Sequence, residues 1–437
     1  MQQTTYLQPA QNIETTIDHI LKHEWGNLVA VLTKVFGTYN MQLAEDVVQD
    51  TYIKAFKHWK ENGLPQNPAA WLFTVARNKA TDVIRKQKRE QQHFAEHAAL
   101  LQSEYSLTAT LHTLVNDHTL DDDRIRMMFV CCHPLLSAEM SITLILKTFC
   151  GLTITEIAKA FITRYDTIEK RLYRARQFFK DNKIAFELPA DALLEDRLEH
   201  VLTCIYLLFN EGYSSTQHER LVRHDLMQEA MELCELVLRS KAVPHDEPHA
   251  LMALMYFTAA RNNARTDDAG NMLLLKNQDR AKWNKQLINA GIDHLDAAAN
   301  GVHLSKYHLE AGIAYEHVKC TRYEDTNWQH IIVCYNLLYQ LKPSPVVALN
   351  RAIAISELYG ATTGIEAIEQ IECIAFLNNY YLLPATLGVL HLQIQEYSKA
   401  KAYFEQALLL TQSVIAKRLL QQKIKEVEAA LVLVAVR

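Results

Sequence analysis

Apolar positions recur every three to four residues in block after block of this chain, and no stretch of useful length alternates at period two. That spacing puts them on one side of a helix, so the pattern predicts an all-α protein. A helical block runs from about 14 to 90, followed by a polar stretch without clear periodicity from about 91 to 120. A second block opens at Asp121-Asp122-Asp123, acids suited to the positive end of a helix, and runs to about 184. From about 190 to 300 the pattern reads as helices with one loose, polar stretch near 261–280. From about 301 to 430, apolar-periodic segments of 12–16 residues alternate with short breaks. Two of these, PVVALNRAIAISELYG and PATLGVLHLQIQEYS, begin alike and are offset by 38–39 residues. Helix pairs recurring at that interval predict a degenerate tetratricopeptide-like array, whose usual period is about 34 residues.

Composition agrees. The 437 residues include 12 Gly and 10 Pro, too few for a fold built on tight turns. With 49% hydrophobic and 22% charged residues the chain has the means to bury a core, and its length predicts several domains. Eight cysteines form neither a CxxC pair nor a secreted-type framework, which predicts reduced thiols packed as small hydrophobes. No basic segment followed by an apolar one opens the chain, and the longest apolar run, 429–436, has eight residues. A cytoplasmic protein without membrane contact is expected.

The net charge of −5 alone argues against nucleic acid, but it averages two unlike halves. Residues 1–184 carry 22 basic and 20 acidic side chains, and residues 185–437 carry 23 and 30. A net of +2 in front of a net of −7 predicts different modules.

Three segments carry candidate function. Along 44–59, AEDVVQDTYIKAFKHW, a helical wheel places Val48, Tyr52, Ala55, Phe56 and Trp59 on the core side. The opposite side collects Asp46, Gln49, Asp50, Ile53 and Lys57. Most such faces are solvated, but an apolar Ile53 among acids and amides suits docking to a basic, partly apolar partner. Along 69–89, Trp71, Leu72, Val75, Ala76, Val83 and Ile84 supply a buried stripe, while 77–89 holds six basic residues and one acid. That excess is more than helix capping requires and predicts phosphate contact. The preceding loop, 60–68, concentrates Asn, Gly and Pro.

The third segment is 151–179, GLTITEIAKAFITRYDTIEKRLYRARQFF. Thr153 and Glu156 make a capping box for a short helix burying Ile157, Ala158 and Phe161. A turn at 162–164 leads to a helix that buries Ile168, Leu172, Ala175 and Phe179 and presents Thr167, Lys170, Arg171, Arg174 and Gln177. This pattern predicts a helix-turn-helix whose basic face reaches guanine edges or phosphates.

These blocks, in this order and spacing, resemble regions two and four of a bacterial sigma factor of the extracytoplasmic-function group, within the sigma-70 superfamily. DDDRIRMMFVCCHPLLS, IYLLFNEGYSS, NQDRAKWNKQLI and PSPVVALNRAIAI are similar to a subgroup with a long helical extension ending in tetratricopeptide-like repeats. The resemblance implies region two over 1–90, a linker over 91–120, region four over 121–187, a helical middle domain over 188–300 and a repeat domain over 301–437. It implies that Asp46, Gln49, Asp50 and Ile53 dock on the core RNA polymerase. It further implies that Asn78, with Arg77, Lys79, Arg85 and Lys86, contacts the −10 promoter element, and that the loop 61–68, with Asn62 and Asn67, holds a flipped base. Thr167, Lys170, Arg171 and Arg174 would read the −35 element. Tyr165, Asp166 and Glu169 depart from the commonest pattern there. The implied partners are core polymerase, promoter DNA and a protein or peptide on the repeats, with no cofactor, no metal and no catalysis.

The extension shows no convergent catalytic set. Asn210, Glu211, Tyr213 and Ser214 read either as a ligand or inter-domain contact or as a helix end closed by Gly212. Cys131-Cys132-His133 reads as core, since adjacent cysteines do not readily share one tetrahedral ion. His303 and His308 read as surface residues. The acidic extension either masks the basic helices or serves a required positive role. A helix-turn-helix regulator that does not use core polymerase is the alternative function, and it leaves the 44–89 block without a purpose.

Overall fold

The structure, a computed structural model, describes residues 13–91, 117–161, 163–188, 191–213, 224–241, 243–267, 271–301, 303–411 and 413–435. Among them there are helices, a few single 3-10 turns and one isolated bridge, Thr266 to Met272, but no strand. The fold is all-α, as the hydrophobic period predicts. The expected linker at 91–120 falls largely on 92–116, outside the described residues, as do Ile162 of the turn and Ser214.

The chain divides into two units, one of residues 1–207 and 239–243, the other of 208–238 and 244–437. In the first, α1 (Ile13–Phe36), α2 (Met41–Asn62) and α3 (Pro68–Gln91) pack together, followed by α4 (Asp117–Cys131), α5 (Ala138–Thr148), α6 (Ile154–Ala160) and α7 (Tyr165–Asn182). Helix α8 (Asp191–Tyr213) passes out of this unit after Leu207.

The second helical block is not opened by its three acids. α4 begins four residues earlier, at Asp117, and Asp123 lies fully buried in its second turn. Both carboxylate oxygens of Asp123 accept from Lys34 Nζ of α1 at 2.9 Å, and Oδ1 also accepts from Arg126 at 2.9 Å. A buried carboxylate needs such partners, so Asp123 ties the two helical blocks together rather than capping one.

A second tie is Trp25 of α1, whose indole Nε1 donates to the Lys147 carbonyl at 3.1 Å. Its ring lies against Gly151, whose backbone sits at φ 62°, and a Cβ there would come within 2.9 Å of the indole. Only a residue without Cβ allows both the left-handed turn and this approach at low cost. α1 is thereby seated on the corner between α5 and α6.

The second unit contains α9 (His224–Arg239), α10 (Asp246–Ala259), α11 (Lys285–Ala298), α12 (Lys306–Val318), α13 (Trp328–Leu341), α14 (Pro345–Tyr359), α15 (Ala361–Glu369), α16 (Leu382–Gln393), α17 (Tyr397–Leu410) and α18 (Val414–Ala435). The loose stretch expected at 261–280 is irregular with short 3-10 turns. From α12 to α18 each helix packs on the next, and α14 and α16 are the two segments that begin alike in sequence. Gly388 of α16 lets α17 approach closely, since a Cβ there would meet the buried Phe404 ring at 2.7 Å. Helix α8 runs through Gly212 to Tyr213, so Gly212 does not close it. The Tyr213 carbonyl accepts from Arg265, whose guanidinium lies 3.6 Å from the centre of the Tyr213 ring.

Candidate functional site

On α2 the buried positions are Met41, Ala44, Glu45, Val47, Val48, Thr51, Ala55 and Trp59. Asp46, Gln49, Asp50 and Ile53 share the opposite face, and all four are exposed. Ile53 keeps 48% of its surface in water, a hydrophobe uncovered among the described residues. Phe56, expected in the core stripe, is 38% exposed instead. Its place falls at the stripe's edge, and Thr51 and Val47 complete the buried face.

Lys79 Nζ of α3 reaches this face at Asp50 Oδ2, 2.9 Å away. Both side chains are substantially solvated, so this pair fixes orientation more than it stabilises. Arg77 is half-buried, with its carbonyl accepting from the Thr81 hydroxyl at 2.9 Å. Asn78, Arg85 and Lys86 are exposed. Asn78, Arg85 and Lys86 thus give α3 an exposed, positively charged side beside the acidic face of α2.

The loop between α2 and α3 is braced from both ends. Asn62 donates to the His58 carbonyl at 2.9 Å, and Asn67 Oδ1 accepts the Ala70 amide at 3.0 Å, which caps α3 ahead of Pro68. The His58 ring stacks on Trp71 with centroids 5.5 Å apart. In this state both amide side chains are engaged within the chain.

Thr153 and Glu156 form the expected reciprocal cap: the Glu156 amide donates to Thr153 Oγ1 at 3.2 Å, and the Thr153 amide donates to Glu156 Oε2 at 2.7 Å. α6 is short, the turn brief, and α7 buries Ile168, Leu172, Ala175 and Phe179. Lys170 and Arg174 are exposed, and Thr167 and Arg171 are half-buried on the same side. Phe161 is half-buried in the turn.

Sequence reading missed how α7 meets α2. The Arg176 guanidinium of α7 donates to Glu45 Oε2 of α2 at 2.5 Å. The Thr38 hydroxyl, just before α2, donates to the Ile184 carbonyl after α7. Burial raises the pKa of Glu45 against the pull of Arg176 and Lys147. A cleft of about 700 Å³ lies here, with Asp46 on one wall and Tyr173 and Lys180 on the other. The place of Glu45 on the buried face of α2, beside Ala44 and Val48, was the available signal, since an acid there demands a cation.

Cys131 and Cys132 are fully buried, as expected for core thiols. No cluster of metal-binding side chains occurs among the described residues. His303 is exposed, whereas His308 is half-buried and completes a capping box with Ser305 at the start of α12. The second unit holds a cavity of about 390 Å³ whose walls are mainly apolar, with Trp328, Tyr335, Ile353, Val389 and Leu420 joined by Glu357 and Lys423. No described helix is long and apolar enough to cross a membrane.

Comparison with known proteins adds three findings. Residues 23–90 match the model of sigma-70 region 2. Residues 197–299 match a family of unknown function, DUF6596. An uncharacterized protein of Rhizobium meliloti (strain 1021) is 35% identical over 372 residues, which covers 85% of this chain and 86% of that protein. No solved structure matches the chain.

Proposed function

We propose that this chain, whose residues 23–90 match sigma-70 region 2, is a sigma-70 family member and a promoter-specific initiation factor of the extracytoplasmic-function kind with a regulatory helical extension. The observation that carries the proposal is the single exposed row Asp46, Gln49, Asp50 and Ile53, inside the region 2 match and joined by Lys79 to a basic helix end. An acidic face with one hydrophobe fits a basic, partly apolar surface of core polymerase. The adjoining Arg77, Asn78, Lys79, Arg85 and Lys86 fit the −10 element. Asn62 and Asn67 would exchange their internal hydrogen bonds for a flipped base, whose stacking is worth about 1–3 kcal/mol.

Residues 1–90 would thus act as region two and 121–187 as region four, joined by the 91–120 linker. The capped α6, the turn and the basic face of α7 favour major-groove reading of the −35 element by Thr167, Lys170, Arg171 and Arg174. The chain supplies recognition and positioning, and polymerase supplies the chemistry. In the extension, 188–300 would form a middle domain and 301–437 a tetratricopeptide-like array. The apolar cavity of the second unit suits an apolar segment of a protein or peptide partner.

Run-off transcription with purified core polymerase tests this reading. Specific transcripts from a cognate promoter are the expected result. DNA binding without core association would instead support the helix-turn-helix regulator. Truncation after residue 187 assigns the extension: raised activity means masking, and lost activity means a positive role.

A further inference from the structure

His249, in the first turn of α10, and His294, one turn before the end of α11, meet through their Nδ1 atoms at 2.8 Å. The ring centres lie 5.0 Å apart, close to the largest separation such a contact allows, so the two Nδ1 atoms point nearly straight at each other. That is the geometry of one hydrogen bond, in which one Nδ1 donates and the other accepts with a bare lone pair. Both rings are half-buried, so protons from the solvent reach them. Both residues fall within 197–299, the match to the family of unknown function, and the promoter reading uses neither.

The helices approach closely around the pair. A Cβ on Gly301, just past α11, would come within 2.5 Å of Asp246 in the first turn of α10, and one on Gly291 of α11 within 2.5 Å of the Phe257 ring. From α9, the Cys234 thiol donates to the Pro248 carbonyl at 3.4 Å. The His245 ring, just ahead of α10, stands edge-on to His249 at 6.3 Å, and Tyr256 of α10 lies 5.5 Å from the His294 ring. Asp246 and Glu247 belong to the same first turn of α10. α12 packs on both helices, and its His308 donates to the Ala298 carbonyl, one turn beyond His294, at 3.3 Å. Burial, the largest influence, opposes a charge on either ring; His245 opposes it further on His249, while Glu235 of α9 and Asp293 of α11 favour it on His294.

We propose that the His249–His294 contact is a proton-sensitive clasp between α10 and α11, closed while the pair carries at most one added proton and released when each ring carries its own. A first added proton enters at Nε2 of the donor ring and leaves the Nδ1–H···Nδ1 bond in place, now charge-assisted. A second has only the accepting Nδ1 to enter, which sets two N–H groups and two positive charges face to face. The pair parts instead, and parting takes up one proton. The clasp is therefore intact above the ordinary histidine range, and its release grows about tenfold for each pH unit below it. The start of α10 separates from the end of α11, while the packing of Gly291 on Phe257 holds the helices together further along.

The test needs neither polymerase nor promoter, so it stands apart from the proposed function. Hydrogen exchange of the full chain is read by peptide mass spectrometry at pH 7.5, 6.5 and 5.5 and corrected for the chemical rate. Protection over 249–253 and 294–298 should fall about tenfold between pH 6.5 and 5.5. His249→Asn keeps a hydrogen-bonding group at the place of Nδ1 and takes up no charge, so its protection there should stay level over the same range. His317 titrates alike in both proteins, so the difference between them isolates the pair. His245→Asn, outside the contact, should behave as wild type. Should His249→Asn not fold, ring titration of wild type by nuclear magnetic resonance decides, with one proton taken up by the two rings together above pH 5 as the expected result. The proposal is overturned if wild-type protection at this end is equal at pH 6.5 and 5.5, if it falls equally in His249→Asn, or if the two rings each take up a proton independently.

Discussion

Arg176 of α7 closes a 2.5 Å ion pair with Glu45 of α2, so the helix with the basic outer face leans directly on the helix with the acidic one. Promoter elements named for −10 and −35 lie about 25 base pairs apart, roughly 85 Å at 3.4 Å per base pair. Under the proposed function α3 and α7 would each meet one of these elements, and the Glu45–Arg176 contact would have to open first. Arg176→Ala leaves a buried carboxylate without its cation and should lower the stability of the first unit by about 3 kcal/mol. The apolar double variant Glu45→Met/Arg176→Leu should recover most of that loss. Urea unfolding measures both, and equal losses in the single and double variants would show that the charged pair itself, rather than the avoidance of an unpaired carboxylate, holds α2 and α7 together.

Asp50 stands at the centre of the exposed α2 face and also orients Lys79. The proposed function has this face meet core polymerase, so Asp50→Arg, which reverses its charge, should abolish association with the core enzyme in a pull-down. Lys79→Ala removes the same ion pair but keeps the acid, so it should retain core association and lose part of its −10 binding. Retained association by Asp50→Arg would remove α2 from the polymerase interface.

Arg171 is half-buried on the outer side of α7, beside exposed Lys170 and Arg174. If it reads a base edge, Arg171→Ala should weaken binding to the cognate −35 element by about 1–3 kcal/mol and relax preference at one base pair. Lys170→Ala should weaken all sequences alike and reduce the salt dependence. A uniform loss for Arg171→Ala in a binding titration would make it a phosphate contact.

The helices were legible, and their inward faces in large part, where period and capping agree, although Phe56 is exposed and Trp71, Val83 and Phe161 are only half-buried. Ile168, Leu172, Ala175 and Phe179 are all buried as read, and the Thr153–Glu156 box closes as read. What was illegible depends on distant partners. Asp123 looks like a helix-opening acid until Lys34 is brought to it, and Glu45 looks like a break in an apolar stripe until Arg176 arrives. Gly212 misled in the other direction, since its helix is carried on to a Tyr213 paired with Arg265.

Gly151 lies under Trp25 with φ at 62°, where an added Cβ would sit 2.9 Å from the indole. Gly151→Ala imposes left-handed strain of about 1–2 kcal/mol and pushes Trp25 off the α5–α6 corner. A total loss of about 2–3 kcal/mol is expected in urea unfolding. Trp25 fluorescence should shift as its indole moves. An unchanged midpoint would mean that α1 seats without this contact.

In the second unit, burial and the neighbouring charges of Arg261 and Arg280 lower the pKa of His317 to about 4, against the weaker opposing pull of Glu316. Its ring packs edge-on against Trp328 at 5.4 Å. The unfolded chain takes up a proton near pH 6.5, whereas the folded site resists until about 4. The unfolded state therefore binds more protons across that window, and stability must fall as pH drops from 6.5 towards 4. The full difference corresponds to about 3 kcal/mol. His317→Phe keeps the ring against Trp328 and removes the titration. Its unfolding midpoint should lie close to wild type at pH 7.5 and above wild type at pH 4.5. Parallel pH profiles for the two proteins would assign the acid sensitivity of this unit to other groups.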